Sequence, residues 1–186
     1  MEQMNQAYKV FTRICLNNWH YIDRKVLGLN ESINFFTGHS GSGKSTVIDA
    51  MQIVLYANTD GRGFFNKAAA DDSDRSLIEY LRGMINIGEN NQAEYKRNKN
   101  FSTTIVLEME QTITKEKECI GVVFDVETAT NEINRLFFWH KGELIPGDYR
   151  TKSRAMTISE VRSYLQQNFP KDEMFYTSNN ERFRRN

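Results

Sequence analysis

The sequence predicts an α/β fold in which a short strand, a glycine-rich loop and an amphipathic helix follow one another, framed by further strands. Three observations predict it. Residues 38–46 read Gly38-His39-Ser40-Gly41-Ser42-Gly43-Lys44-Ser45-Thr46 and satisfy G-x-x-x-x-G-K-[ST]. Ser32-Ile33-Asn34-Phe35-Phe36-Thr37 before it has the length and character of a strand. Behind it Val47, Ile48, Met51, Val54 and Leu55 recur at the spacing of one helix face. Strand, loop and helix together are the setting that a phosphate-binding P-loop requires.

The residue types suit that chemistry. Gly38, Gly41 and Gly43 let the backbone N–H groups, including those of Ser40 and Ser42, curl around a β-phosphate with no Cβ in the way. Lys44 reaches the β- and γ-phosphates, the Ser45 hydroxyl is placed to ligate Mg²⁺, and Thr46 closes the motif. The positive end of the following helix faces the same phosphates. ATP with Mg²⁺ is therefore the expected ligand.

Composition narrows the remaining classes. A chain of 186 residues is long enough for one domain with a real core. The net charge of +0 gives no global basic field, so any nucleic-acid contact must come from local patches. Cys15 and Cys119 lie far apart and outside any C-x-x-C spacing, which suggests reduced core thiols and a cytoplasmic protein. No apolar run approaches a membrane span, and the first residues hold no signal-peptide core. His20, His39 and His140 show no ligand spacing, so no metal is expected beyond the nucleotide's magnesium.

In chain order, residues 1–6 are polar and read as a frayed end. Tyr8 to Leu16 alternates, with Tyr8, Val10, Thr12, Ile14 and Leu16 on one side of a first strand. Asn17-Asn18 is a turn signal, Tyr21 to Leu29 a second strand, and Gly28 to Asn30 a turn into the P-loop strand. Two strands ahead of the P-loop strand is the order of ABC-type heads, whose opening hairpin helps hold adenine. Trp19 is read either as an adenine-stacking residue or as a core tryptophan.

Asn58-Thr59-Asp60-Gly61-Arg62-Gly63 is a loop by composition. Ser76 and Glu79 have capping-box spacing, and Leu77, Ile78, Leu81, Met84 and Ile85 follow as a helix. Residues 86–100 read as an exposed loop carrying Lys96, Arg97 and Lys99. Strand-like runs at 101–111, 119–126 and 134–140 are joined by short polar links, which implies an antiparallel meander. Gly142 and Pro146-Gly147 mark turns. Thr157 and Glu160 form a second capping box, opening a helix with Ile158, Val161 and Leu165 inward and Pro170 as its stop. Residues 175–186 are polar and basic.

At this point a family resemblance enters. Gly43-Lys44-Ser45-Thr46-Val47-Ile48-Asp49-Ala50 resembles the N-terminal Walker A segment of SMC-type ATPases. Phe64-Phe65-Asn66-Lys67-Ala68-Ala69 and Arg75-Ser76-Leu77-Ile78-Glu79-Tyr80-Leu81-Arg82-Gly83 are similar to the Wadjet JetC, MukB and MksF group. The likeness spans nearly the whole chain, but its specific part is residues 38–83. It implies a split ABC-type head. On that resemblance residues 1–186 are expected to be the N-terminal lobe, with a coiled coil after 186 and a C-terminal lobe that carries the signature motif and Walker B. It also implies a second head in a homodimer, kleisin-type and accessory subunits, DNA as substrate, and head engagement driving loop extrusion in plasmid defence. Arg62 takes the place where SMC proteins hold a basic residue near the γ-phosphate. His39 and Ser40 replace the Pro-Asn common in that family's P-loops. Ser178-Asn179-Asn180-Glu181 stands where a Q-loop glutamine is expected, while Gln166 and Gln167 fall in the preceding helix, so the Q-loop role has no residue.

Two other readings stay open. Ile120-Gly121-Val122-Val123-Phe124-Asp125 mimics Walker B, with Glu127 as a base, which makes the chain a self-contained small P-loop NTPase or kinase. A non-catalytic nucleotide-binding module is the third class. Arg182, Arg184 and Arg185 either meet DNA phosphates or form a solvated run. The leading expectation is an α/β P-loop NTPase of the ABC/SMC half-head type, with a mixed central sheet, an antiparallel lobe over about 101–141, and an active site incomplete within the chain.

Overall fold

The computed structural model describes residues 6–29, 44–57, 77–87, 90 and 92–185. The expected strand at 32–37 and most of the phosphate loop lie outside them. Strands β1 (Lys9–Trp19) and β2 (Ile22–Gly28) form the opening hairpin, followed by helices α1 (Lys44–Tyr56) and α2 (Leu77–Arg82). The short hairpin β3 (Met84–Ile87) and β4 (Ala93–Tyr95) leads into the long strands β5 (Phe101–Gln111), β6 (Lys117–Glu127) and β7 (Glu132–Lys141). The pair β8 (Arg150–Thr151) and β9 (Arg154–Ala155), helix α3 (Ile158–Asn168), strand β10 (Met174–Thr177) and helix α4 (Asn180–Arg184) complete the chain.

The main sheet has the order β10-β7-β6-β5-β1-β2, and every neighbouring pair in it is antiparallel. The expected meander is β5-β6-β7, each strand longer than or equal to its sequence bounds. Alternation along these strands divides the core in two. Ile105, Leu107, Val122, Phe124 and Phe137 face α1 and α2, with Ile14, Leu16 and Trp19 beside them. Val106, Cys119, Val123 and Phe138 face α3 and the 144–156 region, with Cys15 beside them. Gly121 permits the second packing. A side chain there would meet the Phe138 ring at 2.7 Å and the Ile105 carbonyl at 2.8 Å.

Several local expectations need correcting. The first strand does not stop at Leu16; it runs on to Trp19, and the turn falls at His20 and Tyr21. The Asn17 side-chain amide reaches the Asp148 carbonyl at 2.8 Å, and Asn18 sits in the left-handed region at φ 53. Strict alternation also fails near Phe11 and Arg13, where the register to β5 shifts, so that Phe11 packs with Ile14 and Leu16.

Helix α1 forms where expected, but its buried stripe is Val47, Ala50, Ile53 and Val54, continued by Ala57 just past its end, while Ile48 and Leu55 are exposed. The helix at 77 ends at Arg82. Gly83 adopts φ +66, and a side chain there would meet the His20 carbonyl at 2.6 Å. Met84 and Ile85 therefore leave the helical path and enter β3, which pairs with β4 inside the stretch expected to be a loop. The capping box at Thr157 and Glu160 is present, and Val161 and Leu165 are buried as expected.

Candidate functional site

Helix α1 begins at Lys44, immediately behind the glycines of the motif. Gly38, Ser40, Gly41, Ser42 and Gly43 lie outside the described residues, as does Arg62. Lys44 and Ser45 are described as the first residues of α1. The N–H groups of a helix's first turn have no intrahelical acceptor, so these residues present donors toward the loop. Thr46 is buried, and its carbonyl accepts a 2.8 Å hydrogen bond from the Trp19 indole Nε1.

That bond decides the reading of Trp19. The residue has no exposed surface, and its ring stacks on Tyr80 with centroids 5.1 Å apart and planes 20° from parallel. It is a core tryptophan beneath α1, not a platform open to adenine. Tyr80 comes from α2, and its hydroxyl donates to Asp49 Oδ2 on α1 at 2.8 Å. Asp49 is 2% exposed. The first two turns of α1 are thus held at Thr46 by the opening hairpin and at Asp49 by α2.

Arg97 fixes the hairpin and α2 to each other. Its Nη1 donates to the carbonyls of His20 at 2.6 Å and Leu81 at 3.0 Å, and Nη2 donates to Ile22 at 2.9 Å. Burial draws its pKa down to about 10, against the opposing pull of Asp23. The His20 N–H donates to the Tyr80 carbonyl at 2.8 Å, so the hairpin tip and α2 also join through the backbone. Sequence reasoning placed Arg97 on an exposed loop and gave Asp49 and Tyr80 no role. A basic residue in a polar stretch carries no local sign that its acceptors lie 16, 75 and 77 residues away.

The Walker B reading of Asp125 is overturned. Phe124 faces the α1 side of the sheet, whereas Val123 and Asp125 face α3. Asp125 Oδ1 accepts from the Ser102 hydroxyl at 2.7 Å and from the Ile158 N–H at 3.1 Å. It ties the N-terminus of α3 to the sheet, on the face opposite the phosphate-loop helix. Glu127 ends the same strand and is exposed. The small-NTPase reading falls with this geometry, because a metal-holding carboxylate has to face the P-loop.

The carboxy-terminal basic run does not form one patch. Arg184 Nε donates to the Tyr56 carbonyl at 2.7 Å and its Nη2 to Ala57 at 3.1 Å, while the Asn180 amide donates to Ala57 at 2.8 Å. These bonds satisfy the C-terminal carbonyls of α1. Arg182 lies 5.3 Å above the Phe175 ring, and Arg185 supplies the C-cap of α4. Asn179 caps α4, and the Gln166 amide bonds the Tyr176 hydroxyl.

Among the described residues there is no group of three or more His, Cys, Asp or Glu side chains arranged to hold a metal ion. No helix among them is long and apolar enough to cross a membrane.

Comparison with known proteins agrees with the motif. Residues 11–72 match the family model described as the P-loop containing region of an AAA domain. No curated protein matches the chain. One solved structure similar to it is described as structural biochemistry of ATP-driven dimerization and DNA-stimulated activation of SMC ATPases. The likeness has a TM-score of 0.41 at 14% identity and covers 84% of this chain and 78% of that one. The fold class is α/β with a P-loop region, as the sequence predicts.

Proposed function

We propose that the chain binds ATP with Mg²⁺ at residues 38–46 and is the N-terminal half of a split, SMC-like ATPase head. The observation that carries the binding is the opening of α1 at Lys44, directly behind the glycines and within the matched P-loop region. The residues fit the ligand. First-turn N–H groups and a lysine suit phosphate anions. A magnesium ion is usually held by phosphate oxygens, water and few protein groups, for which the Ser45 hydroxyl suffices here. Bound there, magnesium neutralises the charge on the phosphates; Lys44 and the loop amides orient them. Arg62 near the γ-phosphate remains part of this proposal, on its place in the resemblance alone.

The half-head reading rests on the resemblance of residues 38–83 to the Wadjet JetC, MukB and MksF group, and Asp125 supports it by facing away. Hydrolysis needs a second side to the metal and a group that positions water. Asp49 on α1 is engaged by the Tyr80 hydroxyl, Asp125 faces α3, and Glu118, at the far end of α1, is engaged by Lys9 and Trp139. The missing groups come from the C-terminal lobe and from a second head in a homodimer. Kleisin-type and accessory subunits, DNA, loop extrusion in plasmid defence and a cytoplasmic location complete the proposal.

Calorimetry and a phosphate-release assay on the 186-residue chain test it. Mg-ATP binds, Lys44→Ala weakens binding by roughly a hundredfold or more (two charge-assisted bonds lost), and turnover stays at background. Adding the C-terminal lobe restores a slow activity that depends on Lys44 and rises with protein concentration. Equal affinity of Lys44→Ala and the native chain ends the nucleotide reading. Steady hydrolysis by the chain alone ends the half-head reading.

A further inference from the structure

Two polar bonds converge on the first two turns of α1 from elements that lie outside the motif. The Trp19 indole holds the Thr46 carbonyl, one residue beyond Ser45, and the Tyr80 hydroxyl holds the Asp49 carboxylate one turn later. The donors are stacked on each other, and both carriers are braced by Arg97. Apolar packing alone would bury this helix without fixing its rotation, because hydrophobic contact is not directional. A leucine at position 49 would pack without the desolvation that a buried carboxylate imposes. The directional pair constrains the rotation and axial place of the helix's first two turns, as Arg184 and Asn180 hold its far end.

We infer that Trp19 and Tyr80 are positioning residues for the phosphate loop: through Thr46 and Asp49 they fix where Lys44 and Ser45 leave α1, so nucleotide affinity depends on hydrogen bonds that touch no nucleotide. This rests on the nucleotide reading above. Placement matters because donors to a phosphate must sit within a fraction of an ångström of their geometry. The bonds also run the other way. A nucleotide that pulls on the loop pulls on Thr46, and so on the Trp19 indole.

The two tryptophans of the chain are Trp19 and Trp139, so Trp139→Phe leaves Trp19 as the only indole reporter in the full chain. Mg-ATP is titrated against this protein, with affinity read by calorimetry and emission read from Trp19. The native pair gives an emission change on binding. Tyr80→Phe raises Kd roughly tenfold, the worth of one bond to a charged acceptor, and shrinks the emission change. Asp49→Ala does the same, and Asp49→Asn, which keeps an acceptor for the Tyr80 hydroxyl, recovers most of the loss. A packing role alone would move thermal stability but not the emission response or the Asn rescue. Native affinity in folded Tyr80→Phe overturns the inference. If Tyr80→Phe does not fold, equal affinities of Asp49→Ala and Asp49→Asn overturn it instead. Lys44→Ala is the separate arm. Loss of binding there with native binding in Tyr80→Phe removes only the positioning role, whereas undiminished binding in Lys44→Ala removes the nucleotide reading and this inference with it.

Discussion

Glu108 has no exposed surface yet meets four polar partners. Arg13 donates to both its oxygens, at 2.9 and 2.6 Å, the Thr12 hydroxyl at 2.7 Å and the Leu144 N–H at 3.0 Å, and the Lys117 ammonium lies 3.8 Å away. Burial pushes the carboxyl's pKa up, but the donors from Arg13, Leu144 and Thr12 prevail and bring it to about 2. The folded value lies below the unfolded one. The stabilisation is therefore whole above the ordinary carboxyl range and is lost as pH falls toward about 2. We predict that Glu108→Gln costs about 3 kcal/mol at neutral pH, because Arg13 and Leu144 lose the partner they were folded around. Urea unfolding across pH 7 to pH 2 measures it. The variant's acid limb should be flatter than the native one, and an identical limb would refute the assignment. The neighbouring loop shows the same over-determination. Asp148 and Tyr149 are both left-handed, at φ 55 and 59, held there by the Asn17 amide and by the His140 ring on the Tyr149 hydroxyl at 2.6 Å.

Helix α4 is only five residues long, too short to persist alone, yet it closes the far end of α1. Phe183 stacks on Phe137 at 5.0 Å, which leaves Arg184 and Asn180 against the Tyr56 and Ala57 carbonyls. Arg184→Ala should cost about 1 kcal/mol of stability and speed amide exchange in the last turn of α1 and in α4 while leaving β5 to β7 protected. Hydrogen exchange read by mass spectrometry decides this, and unchanged exchange in α1 would show that the cap carries nothing. What sequence made legible follows one physical line at this scale. The capping box of α3 and the meander are specified by residues within a few positions of one another, and both stand as read. The buried stripe of α1 was not legible, because Ile48 and Leu55 are as apolar as the residues that are inside. Nor was the end of β1, since the Asn17 amide finds its acceptor 131 residues away. The P-loop was legible because its chemistry is local, whereas the roles of Trp19, Tyr80 and Arg97 depend on contacts between distant elements.

At the scale of the whole molecule, neighbours in the sheet are not neighbours in the chain. β1 lies against β5, and Arg13 and Glu108 are 95 residues apart. Everything from the phosphate loop to β4 lies in the chain between β2 and β5, two strands that β1 separates in the sheet. That geometry has a consequence in time. The meander β5-β6-β7 needs only short closures, whereas β1 and β2 have to wait for β5 and then close a long loop, which is slower and entropically dearer. In a ribosome-bound chain β1 and β2 emerge before β5 and have no partner strand beyond each other until residue 111 is out. We predict that refolding from urea shows two fluorescence phases. Trp139 on β7, watched alone in Trp19→Phe, responds first, and Trp19 at the end of β1, watched alone in Trp139→Phe, responds later. A Trp19 signal that leads or coincides would contradict this order. If the order holds, the segment that carries the nucleotide motif is the last to be locked, and each newly made chain passes through an interval in which its meander is built and the Trp19 bond to Thr46 is not yet made.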